Sequence, residues 1–245
     1  MRPRIAINCD VEARGPAGGF QRDRLALYTD YLDAIYEAGG DPVILPPDLR
    51  ALPSLERVDG VLLTGGDDYL TSITDRENPP PRYAQIHPVR EEFDAALAAT
   101  VLARDFPLLA ICAGFQLIAI HGGGRIFGDI EEELGSEVVH RRDSSDQPHP
   151  RHSMRWEAPH PLGVHPPGAE VMSHHHQGVA SLPVGWRAWG TAPDGVIEGA
   201  VGPGRWQVAV QWHPELSPRE ANERQLFTAF IEACRASTPG AVTER

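Results

Sequence analysis

Lysine is absent from this chain of 245 residues: all 22 basic residues are arginine. That excludes a Schiff-base lysine and the phosphate-binding lysine of a Walker-type loop. Cysteine is scarce. Cys9, Cys112 and Cys234 lie far apart, are odd in number and form no Cys-x-x-Cys pair, which argues against a disulfide framework and a structural zinc site. No apolar run approaches the roughly 18 residues of a membrane span. Positive charge is in deficit, with a formal net charge of −12. Nucleic-acid binding needs a basic face, so neither nucleic acid nor membrane is an expected partner. The opening Met1–Asn8 holds too short an apolar run for a signal peptide and reads as a strand. A cytoplasmic location is therefore expected.

What is present is ordinary for a globular protein: 41% hydrophobic and 23% charged residues. At this length the composition suits one sizeable α/β domain over 1–245. Residues 4–8 read as a short buried strand. Leu25, Tyr28, Leu32, Ile35 and Tyr36 recur at helical spacing until Gly39-Gly40. Strands follow over 42–45 and 58–64, a helix over about 90–104, and a strand over 107–111. The next helix ends at Gly122-Gly123-Gly124. This alternation implies a mostly parallel sheet covered on both faces. Residues 131–168 are polar, rich in His, Pro, Arg and Ser, and read as a loop region with at most one strand. Short β-like segments follow over 169–172, 186–192, 195–201 and 205–211, then a last helix over about 218–235.

The chemistry concentrates in two places. Pro107 to Ile111 is an apolar run leading into Cys112-Ala113-Gly114-Phe115-Gln116. A strand that turns sharply into a helix exposes the apex side chain and aims the next backbone N–H groups at one spot. Alone, Cys112 is equally well read as a buried small hydrophobe. The second place is Val210-Gln211-Trp212-His213-Pro214-Glu215, where a histidine and a carboxylate share a face of extended chain. Alone, that segment reads as a capped strand end. Together the two supply a nucleophile, a base and an orienting acceptor: Cys112, His213 and Glu215. Gly65-Gly66, at the end of the strand Val61–Thr64, can approach a developing oxyanion closely, with the Ala113 N–H as second donor.

Ser173-His174-His175-His176-Gln177 invites a metal reading. Neighbours in an extended chain point to opposite faces, so three consecutive histidines do not chelate one ion, and no Glu or Cys stands at ligand spacing. A loop lining a polar pocket is the better reading, with no metal. His149, His152, His160 and His165 read as surface loop residues.

With these motifs in hand, the chain resembles the class I glutamine amidotransferase-like superfamily. More closely, it is similar to the gamma-glutamyl hydrolase branch that includes gamma-glutamyl-gamma-aminobutyrate hydrolases. The likeness runs through Pro42–Pro46, Leu63–Asp68, His87–Asp94, Cys112–Gln116, Gly123–Ile130, Val171–Gln177, Ala192–Glu198 and Gln211–Glu215. The resemblance implies a flavodoxin-like three-layer α/β sandwich with a mostly parallel central sheet and a small additional β element. It implies hydrolysis of a small gamma-glutamyl amide through a thioester on Cys112, with His213 as base and acid and Glu215 as orienter. Gly66 or Gly65, with Ala113, would hold the oxyanion. Gln116, Ser173, His174 and His175 would hold the glutamyl end. No cofactor is implied. The chain departs from the branch at Ala113, where arginine is frequent, and at Ala119, His87 and Glu91. The loops over 11–22 and 67–88 are expected to form the rim that selects the amine. Alternatives left open are a glutaminase subunit serving a separate synthase and an inactive binding protein; a homodimer is also left open.

Overall fold

The computed structural model of the protein describes residues 1–17, 20–69, 83–142, 144, 146–157 and 169–237, without side chains over 14–22. In chain order the first elements are strands β1 (Arg4–Asn8), β2 (Asp10–Ala17) and β3 (Phe20–Ala26), helix α1 (Thr29–Glu37) and strand β4 (Asp41–Leu45). Strand β5 (Gly60–Leu63), helix α2 (Pro88–Ala103), strand β6 (Leu108–Ile111), helix α3 (Ala113–His121), strand β7 (Arg125–Phe127) and helix α4 (Ile130–Leu134) follow. The rest comprises strands β8 (Arg151–Ser153), β9 (Arg155–Trp156), β10 (Glu170–Met172), β11 (Gly178–Ser181), β12 (Arg187–Thr191), β13 (Ile197–Val201) and β14 (Gln207–Val210), then helix α5 (Ala221–Ser237).

The central sheet runs β4-β1-β5-β6-β14-β13-β11-β7, with β12 branching from β13 and β9 pairing with β12. From β4 to β14 every pairing is parallel; from β14 onward every pairing is antiparallel. Alternation along each strand sorts side chains into two cores. Ala6, Val61, Leu63, Leu108 and Ala110 face the core under α2 and α3. Ile5, Ile7, Leu62, Leu109 and Ile111 face the opposite core, under α1 and α5. Both faces are covered, so β5, β6 and β14 are buried throughout. That is why they read as continuous apolar runs rather than alternating ones. The architecture is the flavodoxin-like α/β sandwich, with the antiparallel extension as its added β element.

Several expectations need correction. The helix read from Leu25 begins at Thr29, because 20–26 pair with 10–17 as the β2–β3 hairpin. Residues 11–17 and 20–22 are therefore strand, not loop. The region 131–168 is less bare than expected: it holds α4, whose N-terminus Asp129 caps through the Glu132 N–H at 2.9 Å, together with β8 and β9. Most of the 67–88 rim and the histidines 160 and 165 fall outside the described residues.

Candidate active site

Cys112 sits between β6 and α3 with φ 51 and ψ −109. It is the one non-glycine residue with positive φ among the described residues. Holding a β-carbon there costs on the order of 1–3 kcal/mol, and such strain persists only where the surroundings over-determine it. Those surroundings are visible. The Cys112 N–H donates to the Val210 carbonyl at 2.8 Å, and its carbonyl accepts from Phe115 and Gln116 at 2.9 and 3.0 Å. A β-carbon on Gly114 would lie 2.6 Å from the Leu63 carbonyl oxygen, so only glycine lets α3 start this close to β5. The other two thiols are buried and chemically quiet. Burial pushes Cys9 up to about 11, and Cys234 is driven higher still by the same cause.

His213 follows β14, the neighbour of β6, so adjacent parallel strands deliver it beside Cys112 at their C-terminal ends. Its N–H donates to the Met172 carbonyl at 3.0 Å. The ring is pinned from behind: Nδ1 lies 2.6 Å from Glu215 Oε1. Burial pulls the imidazole's proton affinity down. The negative charges of Glu215 and Cys112 outweigh it and hold His213 well above the usual histidine range. Its Nε2 has no partner with full hydrogen-bond geometry. Cys112 is near enough to act on this ring, and a cysteine–histidine pair tightens when substrate binds.

The turn after β5 is held more elaborately than its glycines suggest. The Gly65 N–H donates to the Tyr31 hydroxyl at 2.9 Å, so Gly65 does not have that donor to offer an oxyanion; Gly66 is the remaining candidate. Beneath the turn lies Arg90, buried to 1% exposure and ion-paired with Asp10 at 2.8 Å and Asp94 at 3.1 Å. Its Nη2 donates to the Gly65 carbonyl at 3.1 Å. Burial opposes the Arg90 charge, but the Asp94, Tyr69 and Asp10 oxygens raise its pKa further. A β-carbon on Gly66 would run into that guanidinium. Asn8 completes the brace, accepting the Thr64 N–H at 2.8 Å and donating to Asp94 at 3.1 Å. Sequence reasoning missed Tyr31, Arg90 and Asn8 as site-shaping residues; a buried arginine has no local signature.

Cys112, His213, Glu215, Gly65, Gly66, Gln116, His174 and His175 all line one cavity of about 790 Å³. Gln116 donates to the Gln177 carbonyl at 3.2 Å. His174 is held near pKa 4, first by burial and then by the charges of His213 and His149. Ser173 departs from expectation: it is fully buried, does not line the cavity, and its hydroxyl donates to the His140 carbonyl at 2.8 Å. Two histidines read as surface loop residues are also elsewhere. His149 lines the cavity, with its ring 4.6 Å from that of His174. His152 is buried at 6% exposure. The wall carries both signs of charge, with Arg141 and Arg142 as well as Asp67 and Asp68. Burial, reinforced by Asp10, raises Asp67 to about 6.

A strained residue at a strand-to-helix turn of a mostly parallel sheet, with a histidine–glutamate pair from the next strand, defines a class I glutamine amidotransferase-like protein. The chain belongs to the Peptidase C26 family, whose profile matches residues 3–215, and is a hydrolase of that type. It is 32% identical over 223 residues to gamma-glutamyl-gamma-aminobutyrate hydrolase PuuD of Escherichia coli, covering 85% of this chain and 86% of that protein. It is 30% identical over 203 residues to YvdE of Lactococcus lactis, provisionally assigned as glutamine amidotransferase-like, covering 82% and 85%. Among solved structures, a Thermoplasma acidophilum protein provisionally assigned as one component of GMP synthase superposes with a TM-score of 0.64 at 19% identity, covering 96% of each chain. That likeness speaks for the fold. Among the described residues, no helix is long and apolar enough to cross a membrane.

Proposed function

We propose that the protein hydrolyses the gamma-glutamyl amide bond of a small gamma-glutamyl amine, releasing glutamate and the amine. The observation that carries this reading is the 2.6 Å pairing of His213 with Glu215 beside a strained Cys112 on a polar cavity. The Cys112 thiolate attacks the side-chain carbonyl carbon. The negative charge that develops on oxygen meets the backbone N–H groups of Gly66 and Ala113, the latter at the first position of α3, where N–H groups lack partners within the helix. Each such donor lowers the barrier by about 3 kcal/mol. Imidazolium His213 gives its proton to the leaving amine as the C–N bond breaks, leaving a gamma-glutamyl thioester. Neutral His213 then takes a proton from water, the hydroxide attacks, and collapse returns thiolate and imidazolium. Glu215 stabilises the imidazolium in both halves. The zwitterionic glutamyl head suits a wall of mixed charge: Arg141 and Arg142 match its α-carboxylate and Asp68 its α-ammonium.

The test is a panel of gamma-glutamyl amides, with free glutamine included, read by glutamate release from wild type and from Cys112→Ala. Hydrolysis of one or more amides over glutamine, abolished in Cys112→Ala, is the expected result. Preference for glutamine would overturn the substrate class, and glutamate release undiminished in Cys112→Ala would overturn the mechanism.

A further inference from the structure

Four buried side chains meet at one point that the cysteine chemistry does not use. His140 comes from the segment after α4, His152 from β8, His175 from the turn after β10, and Glu198 from β13. Their exposures are 4%, 6%, 4% and 0%. His140 Nδ1, His152 Nε2 and His175 Nε2 each lie 3.4 Å from Glu198 Oε1. One donor atom from each of the four residues lies within 4.8 Å of the others. None of the three inward nitrogens has a hydrogen-bond partner, and neither does either oxygen of Glu198. A buried carboxylate left so is costly, on the order of several kcal/mol.

The outward nitrogens explain which atoms point inward. His140 Nε2 lies 2.9 Å from Asp194 Oδ2, itself held by the Ser136 hydroxyl at 2.5 Å. His175 Nδ1 lies 2.9 Å from the Gln177 carbonyl, and His152 Nδ1 lies 3.2 Å from the Ser153 carbonyl. Carbonyl and carboxylate oxygens accept, so each outward nitrogen carries the ring proton. In a neutral ring each inward nitrogen is then a lone pair aimed at the same carboxylate, the form a metal ligand takes. Three lone pairs and an anion repel unless a cation sits among them. A shared proton would draw one nitrogen to about 2.7–2.9 Å from the oxygen; the three equal separations do not fit that. They match three edges of a tetrahedral site, in which metal bonds of about 2.0–2.1 Å set neighbouring ligand atoms about 3.3–3.4 Å apart; the donor atoms, all within 4.8 Å of one another, need only a small inward shift to match the rest.

We propose that His140, His152, His175 and Glu198 bind a divalent transition metal of the zinc class. Three imidazoles and one carboxylate are borderline donors that suit zinc over magnesium or calcium. Four protein ligands in a buried setting leave no open position, so the role is structural. Asp194, Gln177 and Ser153 form the outer partners that fix ring tautomers around such ions. The ion ties the polar segment after α4 and β8 to β13 of the central sheet. It also seats the turn that carries His174 to the cavity. The argument against chelation by three consecutive histidines still holds, since only His175 of the three points inward; its co-ligands arrive from other elements. The site does not depend on the reaction proposed above.

The test starts from the full chain, untagged, purified without chelators, with metals counted by mass spectrometry. Wild type should hold about one zinc per chain through gel filtration. Stripping with dipicolinate should lower the melting temperature by at least about 5 °C, and one equivalent of zinc should restore it. Cobalt substitution should give the visible bands of a tetrahedral site. Glu198→Gln should retain less than about a tenth of an equivalent, whereas Cys112→Ala should retain the full complement. Asp194→Asn keeps all four ligands and should bind zinc about 10–100-fold more weakly, which decides the matter should Glu198→Gln fail to fold. Wild type that takes up neither zinc nor cobalt would overturn the proposal. So would metal that is lost from Cys112→Ala but kept by Glu198→Gln, since the ion would then belong to the cysteine site.

Discussion

The hydroxyl of Tyr31, on α1, accepts the Gly65 N–H at 2.9 Å and lies in the field of the Glu215 carboxylate. One oxygen thus holds the turn after β5 while feeling the charge of the group behind His213. Burial, then the charges of Glu215 and Cys112, hold the Tyr31 pKa well above its ordinary value, so it stays a donor at all working pH. Tyr31→Phe removes the acceptor from Gly65 without changing shape. Its expected cost is about 1 kcal/mol of stability. The kcat on the preferred amide should fall about tenfold, one lost hydrogen bond's worth at the transition state, with KM within about twofold. Unchanged kcat would reduce Tyr31 to a packing residue.

Strain at Cys112 can be measured separately from its chemistry. Cys112→Ala and Cys112→Gly should both be inactive. At an ordinary helix start, glycine is the less stable of the two by roughly 0.5–1 kcal/mol. At φ 51 the order should reverse, with the glycine variant about 1 kcal/mol more stable in urea unfolding. Alanine at least as stable as glycine would mean that the backbone is not strained there.

The parallel half of the sheet was legible because β1, β5, β6 and β14 bury both faces and therefore stand out as apolar runs, with the edge strand β4 recognised by its short Val43–Leu45 run. Cys112, His213 and Glu215 were legible because each sits at the end of such a run. The β2–β3 hairpin was not, since its pairing partners mimic the helical spacing of Leu25, Tyr28 and Leu32. Ser173 was misplaced because a serine donating to a backbone carbonyl looks, in sequence, like one awaiting a ligand. The four-residue cluster was invisible for a different reason. His140, His152, His175 and Glu198 are spread over separate strands and connecting segments, and only the antiparallel extension brings them together. Arg90 was hidden too: its partners Asp10 and Gly65 are remote in sequence.

The pairing of Glu215 with His213 predicts a change in pH dependence as well as in rate. Burial alone would lower the imidazole's pKa; the Glu215 and Cys112 charges raise it. Imidazolium is the acid that protonates the leaving amine, so activity should persist as pH rises until it passes the raised pKa. Glu215→Gln keeps the hydrogen-bond acceptor but removes the charge. The basic limb of kcat/KM should move to lower pH, and the plateau should fall about 10²-fold, at the lower end for loss of assisted proton transfer. A lowered plateau with an unmoved basic limb would show that Glu215 only positions the ring.

Glu223 offers a stability test outside the reaction. It is 4% exposed and accepts the Trp212 indole N–H at 3.1 Å. Burial raises its pKa from 4.5 to about 7, opposed by the Trp212 hydrogen bond and aided by Glu220. The folded state therefore holds this proton more tightly than the unfolded chain. Between pH 4.5 and about 7 the native protein binds more protons, so stability should fall as pH rises, and the loss levels off above about 7. The full effect is about 3 kcal/mol by linkage. Glu223→Gln keeps an oxygen for Trp212 and cannot ionise. Relative to wild type, it should gain about 2.5 kcal/mol between pH 5 and pH 8 in urea unfolding followed by tryptophan fluorescence. Parallel profiles for the two proteins across that interval would show that Glu223 titrates alike in the folded and unfolded chains.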